Sequence, residues 1–140
     1  MGLQMDAEGL NAFLAAEFPQ VAGDFTVEEV SAERGVRMRL NVTDAHLRPG
    51  GTVSGPAMFA LADLAIYCVI LSRIGPVALA VTTNASFDFM RKPAAGQDLL
   101  AECRLLKLGR TLAVGDVLIY SEGISDPVAR SAMTYAIPPR

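Results

Sequence analysis

Asp63 lies inside Ala57–Ser72, a stretch that is apolar nearly all the way round. An ionised carboxylate in such surroundings costs several kcal/mol unless it is paired or hydrogen-bonded, so its presence asks for a reason. Held there, it can orient and deprotonate a water or attack a carbonyl itself. The structural alternative is a carboxylate that caps a neighbouring loop or sits in a seam between two copies. Eight residues earlier, Gly55 stands where the same helix would begin, and a helix N-terminus offers unpaired N–H groups and a positive dipole to a developing oxyanion. Pro56 removes one of those donors, which leaves Gly55 as the more exposed one; the plain alternative is a glycine that only starts the helix. His46 is the single histidine. Zinc sites normally want several Cys or His ligands, and most nucleophilic triads need a His base, a part His46 would have to serve alone, so hydrolysis is better sought in a carboxylate that activates water.

Composition narrows the classes further. The 140 residues are 51% apolar and 19% charged, which suits one domain over 1–140 with a real core and excludes a disordered chain. A formal charge of −3 with no basic run argues against nucleic acid as a partner. Cys68 and Cys103 each sit among apolar neighbours and read as buried thiols in a reducing compartment. The apolar run Met58–Leu71 is shorter than the roughly 18 to 20 residues a membrane span needs. Together with an N-terminus lacking a basic, apolar leader, this gives the expectation of a cytoplasmic protein with no membrane partner. Gly50-Gly51-Thr52-Val53-Ser54-Gly55-Pro56 lacks the Gly-Lys-Ser/Thr ending of a phosphate loop, and Val53-Ser54-Gly55 is not a nucleophile elbow.

The elements that must position these residues follow from periodicity. Leu10, Phe13, Leu14 and Phe18 recur at helical spacing and predict a short helix over 6–18, ended by Pro19. Phe25–Ala32 and Val36–Val42 alternate apolar and polar residues about the turn Glu33-Arg34-Gly35, a hairpin. A turn-rich loop then leads to the main helix, with Ser54 or Gly55 as cap and Pro56 in the first turn. Beyond Gly75-Pro76 come four strands, Leu79–Met90, Asp98–Leu108, Thr111–Tyr120 and Val128–Ala136, expected to pair antiparallel. The resulting plan is α+β, a curved antiparallel sheet wrapped around one long helix.

On Gly51, Gly55, Leu61 and Asp63, within Gly50–Ala65, the sequence resembles the hotdog-fold thioesterases of the phenylacetate-degradation (PaaI-like) family. Phe89-Met90-Arg91-Lys92-Pro93-Ala94-Ala95-Gly96 and Leu106-Lys107-Leu108-Gly109-Arg110 look like that family's strand, turn and hairpin. The sequence departs from the family at three places: Ser54 replaces the motif His, Pro56 its second Gly, and Arg48 its Asn. The resemblance implies acyl-CoA hydrolysis with Asp63 as base or nucleophile and the Gly55 N–H on the thioester carbonyl, and Ser54 takes the motif position beside them. It implies for Thr83, ten residues before Pro93, the task of holding the attacking water; Asn84 could do this only if it, and not Thr83, faced the site.

Gly55 and Asp63 are about 12 Å apart along a helix that rises 1.5 Å per residue, too far to serve one carbonyl. The site must therefore be shared between subunits, and the resemblance implies a homodimer, doubled into a tetramer. Arg91, Lys92, Lys107 and Arg110 are candidates for the coenzyme A phosphates, or else solvated charges protecting strand ends. Arg48 would meet a substrate carboxylate or brace its loop. Met58, Phe59 and Tyr67, with Phe87 and Phe89, are candidates for the acyl pocket, though Met and Phe in such places often serve only as core. Coenzyme A is part of the substrate, and no further cofactor or metal is expected. The competing expectation is a non-catalytic acyl-CoA or ligand-binding module on the same fold.

Overall fold

The computed structural model describes residues 2–139. Two helices, α1 (Ala7–Glu17) and α2 (Pro19–Ala22), precede a hairpin of β1 (Phe25–Ser31) and β2 (Gly35–Leu40). The long helix α3 (Gly55–Ile74) follows, then β3 (Val81–Phe89), β4 (Leu99–Leu108), β5 (Leu112–Ser121) and β6 (Ala129–Ala136). The six strands form one antiparallel sheet in the order β1-β2-β4-β5-β6-β3. The expected α+β plan is therefore present, with the sheet curved around α3 in the hotdog arrangement. Two pairings are not sequential: β3 lies at the outer edge beside β6, and β2 takes the place beside β4.

Helix α3 forms where its ends are marked. The Ser54 hydroxyl accepts from the Ala57 N–H at 3.3 Å, Pro56 sits in the first turn, and Gly75 (φ 90°) ends the helix with its N–H on the Leu71 carbonyl at 2.8 Å. It spans 20 residues, longer at both ends than the predicted Ala57–Ser72 and long and apolar enough by composition to cross a membrane. Its side chains are instead buried in protein: Leu61, Ala62, Ala65, Ile66, Cys68, Ile70 and Leu71 are fully enclosed by the strands. Burial of each large aliphatic side chain contributes roughly 1.5–3 kcal/mol before chain entropy is counted, so this helix is the hub of the core.

Two glycines allow the sheet to close on this hub. A Cβ at Gly115 would lie 3.1 Å from both the Arg104 carbonyl and the Ile66 methyl, so strand β5 meets α3 backbone to side chain. At Gly35, φ is +84° and a Cβ would lie 2.0 Å from the Cys103 carbonyl, so the β1–β2 turn fits against β4 only without a side chain.

The N-terminal helix is pinned by polar contacts as well as apolar ones. Asp6 caps it through the Gly9 N–H at 2.8 Å, Leu10 and Leu14 enter the core, and Asn11 pairs with both backbone groups of Val27 at 2.8 and 2.9 Å. Pro19 ends α1 as expected and then starts α2. Across the hairpin, Arg39 reaches Glu28 (2.6 Å), Asp98 (3.0 Å) and Glu122 (2.8 Å), tying β2 to β1 and to the ends of β4 and β5.

Candidate active site

Asp63 projects from the middle of α3 toward β3 and β6. Its Oδ1 accepts hydrogen bonds from the Thr82 hydroxyl of β3 and from the Tyr135 hydroxyl of β6, the latter at 2.9 Å. The same phenol lies 3.0 Å from the Asp63 backbone carbonyl, so its one hydrogen is shared between two oxygens of a single residue. Burial, and then the nearby Asp63 charge, push the Tyr135 hydroxyl well above its ordinary range, which keeps it a donor. Asp63 Oδ2 receives no hydrogen bond from the described residues and is not among the buried unpartnered atoms. It is the accessible oxygen, and Asp63 lines a cavity of about 420 Å³.

The hydroxyl that meets Asp63 is thus Thr82's and not Thr83's. Pairing of β3 with β6 slips between Thr82 and Asn84, leaving Thr83 as the extra residue of a bulge whose hydroxyl donates to the Thr134 carbonyl at 3.3 Å. Strict alternation counted back from Phe87, which packs on Phe59 of α3, would have turned Thr83 toward the helix. The bulge hands that face to Thr82. Tyr135 is a site residue that sequence reasoning misses altogether. A signal for it exists, since Met133, Tyr135 and Ile137 alternate inward on the last strand and a buried Tyr needs a partner for its hydroxyl.

Gly55 opens α3, and its N–H makes no backbone hydrogen bond among the described residues. It lines a second cavity of about 520 Å³ together with Arg48, Met58, Phe89, Arg91 and Lys92. Three of the predicted cations therefore surround the Gly55 end of the helix. Lys107 and Arg110 line neither this cavity nor that of Asp63. Ser54, grouped with the catalytic candidates from its motif position, spends its hydroxyl on the helix cap. His46 is likewise engaged: Nδ1 accepts from the Thr43 N–H at 2.9 Å and Nε2 lies 3.3 Å from Asp24.

The apolar candidates divide between the two cavities. Met58 faces the Gly55 cavity, and Tyr67 lines that of Asp63 with its hydroxyl donating to the Ala78 carbonyl at 2.8 Å. Phe59 lies outside both, 40% exposed and packed on Phe87, which stacks in turn on Phe89. Both cysteines are buried, and their thiols are pushed above the ordinary range by burial. Among the described residues no group of three His, Cys, Asp or Glu side chains comes together.

An antiparallel sheet curved around one long helix is the hotdog fold, and the family model of the thioesterase superfamily matches residues 50–128. The chain belongs to that superfamily. It is similar to a candidate thioesterase from Silicibacter sp. TM1040, whose crystal structure superposes with a TM-score of 0.91 at 61% identity over 99% of this chain and 96% of that one. The phenylacetic acid degradation protein PaaI from Thermus thermophilus, solved as a mutant, gives a TM-score of 0.70 at 26% identity over 91% and 99% of the two chains. A Streptococcus mutans protein solved with acetyl CoA gives 0.70 at 26% identity, covering 83% of this chain and 90% of that one. A candidate esterase from Deinococcus radiodurans is 34% identical over 99 residues, which take in 71% of this chain and 64% of that protein, just under two thirds of its length.

Proposed function

We propose that the chain is an acyl-CoA thioesterase that hydrolyses small or medium acyl thioesters as a homodimer. Asp63 acts as general base or nucleophile, and the backbone N–H of Gly55 of the partner subunit receives the oxyanion. The observation that carries this reading is the one-sided hold on Asp63: both donors take Oδ1, and Oδ2 is left accessible. An oxygen left accessible beside a cavity, on a carboxylate whose other oxygen is held in place, can meet a water or a carbonyl in a fixed direction.

Sharing between subunits is supported by what one protomer lacks. Gly55 and Asp63 line different cavities. Pro56, Phe59 and Ala60 leave one stripe of α3 uncovered beside β3, whose Phe89 is also exposed, and β3 is a free sheet edge. A second copy paired along β3 would cover that stripe and bring the two ends of the site together; further pairing of dimers belongs to the same proposal. Arg48, Arg91 and Lys92 then offer charge to the coenzyme A phosphates.

In the water route, Asp63 Oδ2 takes a proton as water adds to the thioester carbonyl. The tetrahedral oxyanion lies on the Gly55 N–H, the C–S bond breaks, and the thiolate leaves as the thiol with that proton. In the covalent route Oδ2 adds first, coenzyme A departs, and water cleaves the resulting anhydride. Thiol release from a panel of short, medium and aromatic acyl-CoAs, with Asp63→Asn alongside, tests the reading: turnover abolished by the variant is expected. Saturable binding without release in the wild-type protein would mean the ligand-binding module instead.

A further inference from the structure

We propose that the cavity beside Asp63 is the acyl chamber, that Phe18 and Leu79 at its rim set the size of group accepted, and that it selects uncharged apolar acyl groups; this rests on the reading of Asp63 above. The chamber of about 420 Å³ is lined by Asp63 and by the buried Leu64, Tyr67 and Tyr135, and on its exposed side by Phe18, Leu79 and Val81. A thioester whose carbonyl meets Asp63 Oδ2 must send its two halves in different directions. The cations Arg48, Arg91 and Lys92 line the Gly55 cavity, whereas among the described residues the charged ones lining this chamber are two acids, Asp63 and Glu17. The phosphate-bearing half belongs with the cations and the acyl half with the chamber. Glu17 then opposes any acyl group that ends in a carboxylate.

The wall is fixed enough to discriminate. Tyr67 is held by its hydroxyl on Ala78 and flanked by the rings of Phe13, Phe18 and Tyr135 at centroid distances of 6.5, 6.4 and 6.3 Å. Phe18 stands edge-on to Tyr67 at the corner between α1 and α2, where its N–H bonds the Leu14 carbonyl at 2.8 Å. Leu79 is 77% exposed in the connection before β3, an apolar side chain poised at the mouth with little protein against it. Phe18 and Glu17 come from the segment before residue 50, outside the part of the chain that the superfamily match covers. Selectivity is thereby supplied by a wall added to the shared core.

Calorimetric titration of Asp63→Asn protein with coenzyme A, butanoyl-CoA, octanoyl-CoA and suberyl-CoA separates the acyl contribution from the nucleotide contribution without turnover. Octanoyl-CoA should bind at least about tenfold tighter than coenzyme A, and suberyl-CoA about tenfold more weakly than octanoyl-CoA. Adding Phe18→Ala or Leu79→Ala should cut the octanoyl advantage severalfold and leave coenzyme A binding unchanged, and Glu17→Gln should narrow the suberyl penalty. Leu79 lies at the surface, so its variant keeps the test valid should Phe18→Ala fail to fold. An octanoyl advantage that is missing or insensitive to both rim variants, or suberyl binding equal to octanoyl binding, overturns the proposal. Acyl-selective binding with no thiol release by the wild-type protein leaves the chamber standing and removes the hydrolase reading.

Discussion

Tyr135 crosses from the last strand to touch Asp63 twice, 2.9 Å from Oδ1 and 3.0 Å from its backbone carbonyl. One phenol thus fixes both the rotamer of the carboxylate and the height of the helix turn that carries it. With Thr82 on the same oxygen, the clasp spans α3, β3 and β6.

Removal of this phenol should slow chemistry more than binding. For Tyr135→Phe, kcat is expected to fall roughly 10- to 100-fold with KM within about threefold, the pattern of an acid that is present but poorly aimed. The fold should lose about 1 kcal/mol, the usual net value of one buried hydrogen bond. Steady-state kinetics beside urea denaturation would separate the two effects. An unchanged kcat would deny Tyr135 a positioning role.

Subunit complementation addresses the shared site directly. Asp63→Asn lacks the base, and Gly55→Pro lacks the N–H. Each homodimer should be inactive, with losses on the order of a hundredfold or more. Co-refolded mixtures should regain activity, because a mixed dimer holds one site with both native groups. Mixtures as inactive as their parents would place both groups on one chain and end the dimer model of the site.

Gly35→Ala should destabilise the protein by about 2–4 kcal/mol, since it adds a Cβ into the Cys103 carbonyl at a positive φ. Its effect should appear in denaturant midpoints, with kcat preserved wherever the variant is folded, because the turn is remote from Asp63. A midpoint equal to wild type would mean that β4 yields easily at this point.

The Arg39 cluster predicts an acid limb in stability. The hydrogen bond from Arg39 holds the Glu122 carboxyl below its ordinary value. A carboxylate lowered in the folded state contributes stability above its unfolded pKa and loses that contribution as pH falls through the folded value. Urea midpoints should therefore decline on acidification below the ordinary glutamate range. Arg39→Gln should lower the neutral-pH midpoint and flatten the decline. Parallel curves for the two proteins would remove the cluster from the account.

Much of the architecture is legible in the sequence because it rests on strong local signals. Ser54, Pro56 and Gly75 mark the ends of α3, and the turns at Gly35 and Gly109-Arg110 delimit hairpins as expected. What stays hidden is non-local. The placement of β3 beside β6 is decided by how the sheet closes around α3, which strand periodicity cannot specify. Asp63 and Gly55 stand out because a buried charge and a helix start are local anomalies. Thr82 and Tyr135 do not, since a threonine in a strand and an inward tyrosine look ordinary until the helix is laid against them. The exchange of Thr83 for Thr82 has the same origin: alternation is sound, and one unpaired residue changes its phase.

That unpaired residue makes Thr83 dispensable in a particular sense. Its neighbours Thr82 and Asn84 already oppose the consecutive residues Tyr135 and Thr134, so excising Thr83 would rejoin an uninterrupted ladder with the clasp still facing inward. The strand can therefore change length by one residue at this spot and keep its grip on the acid. Such slack is where the chain can tolerate a shortened variant that, anywhere else along β3, would rotate every following side chain away from its neighbour.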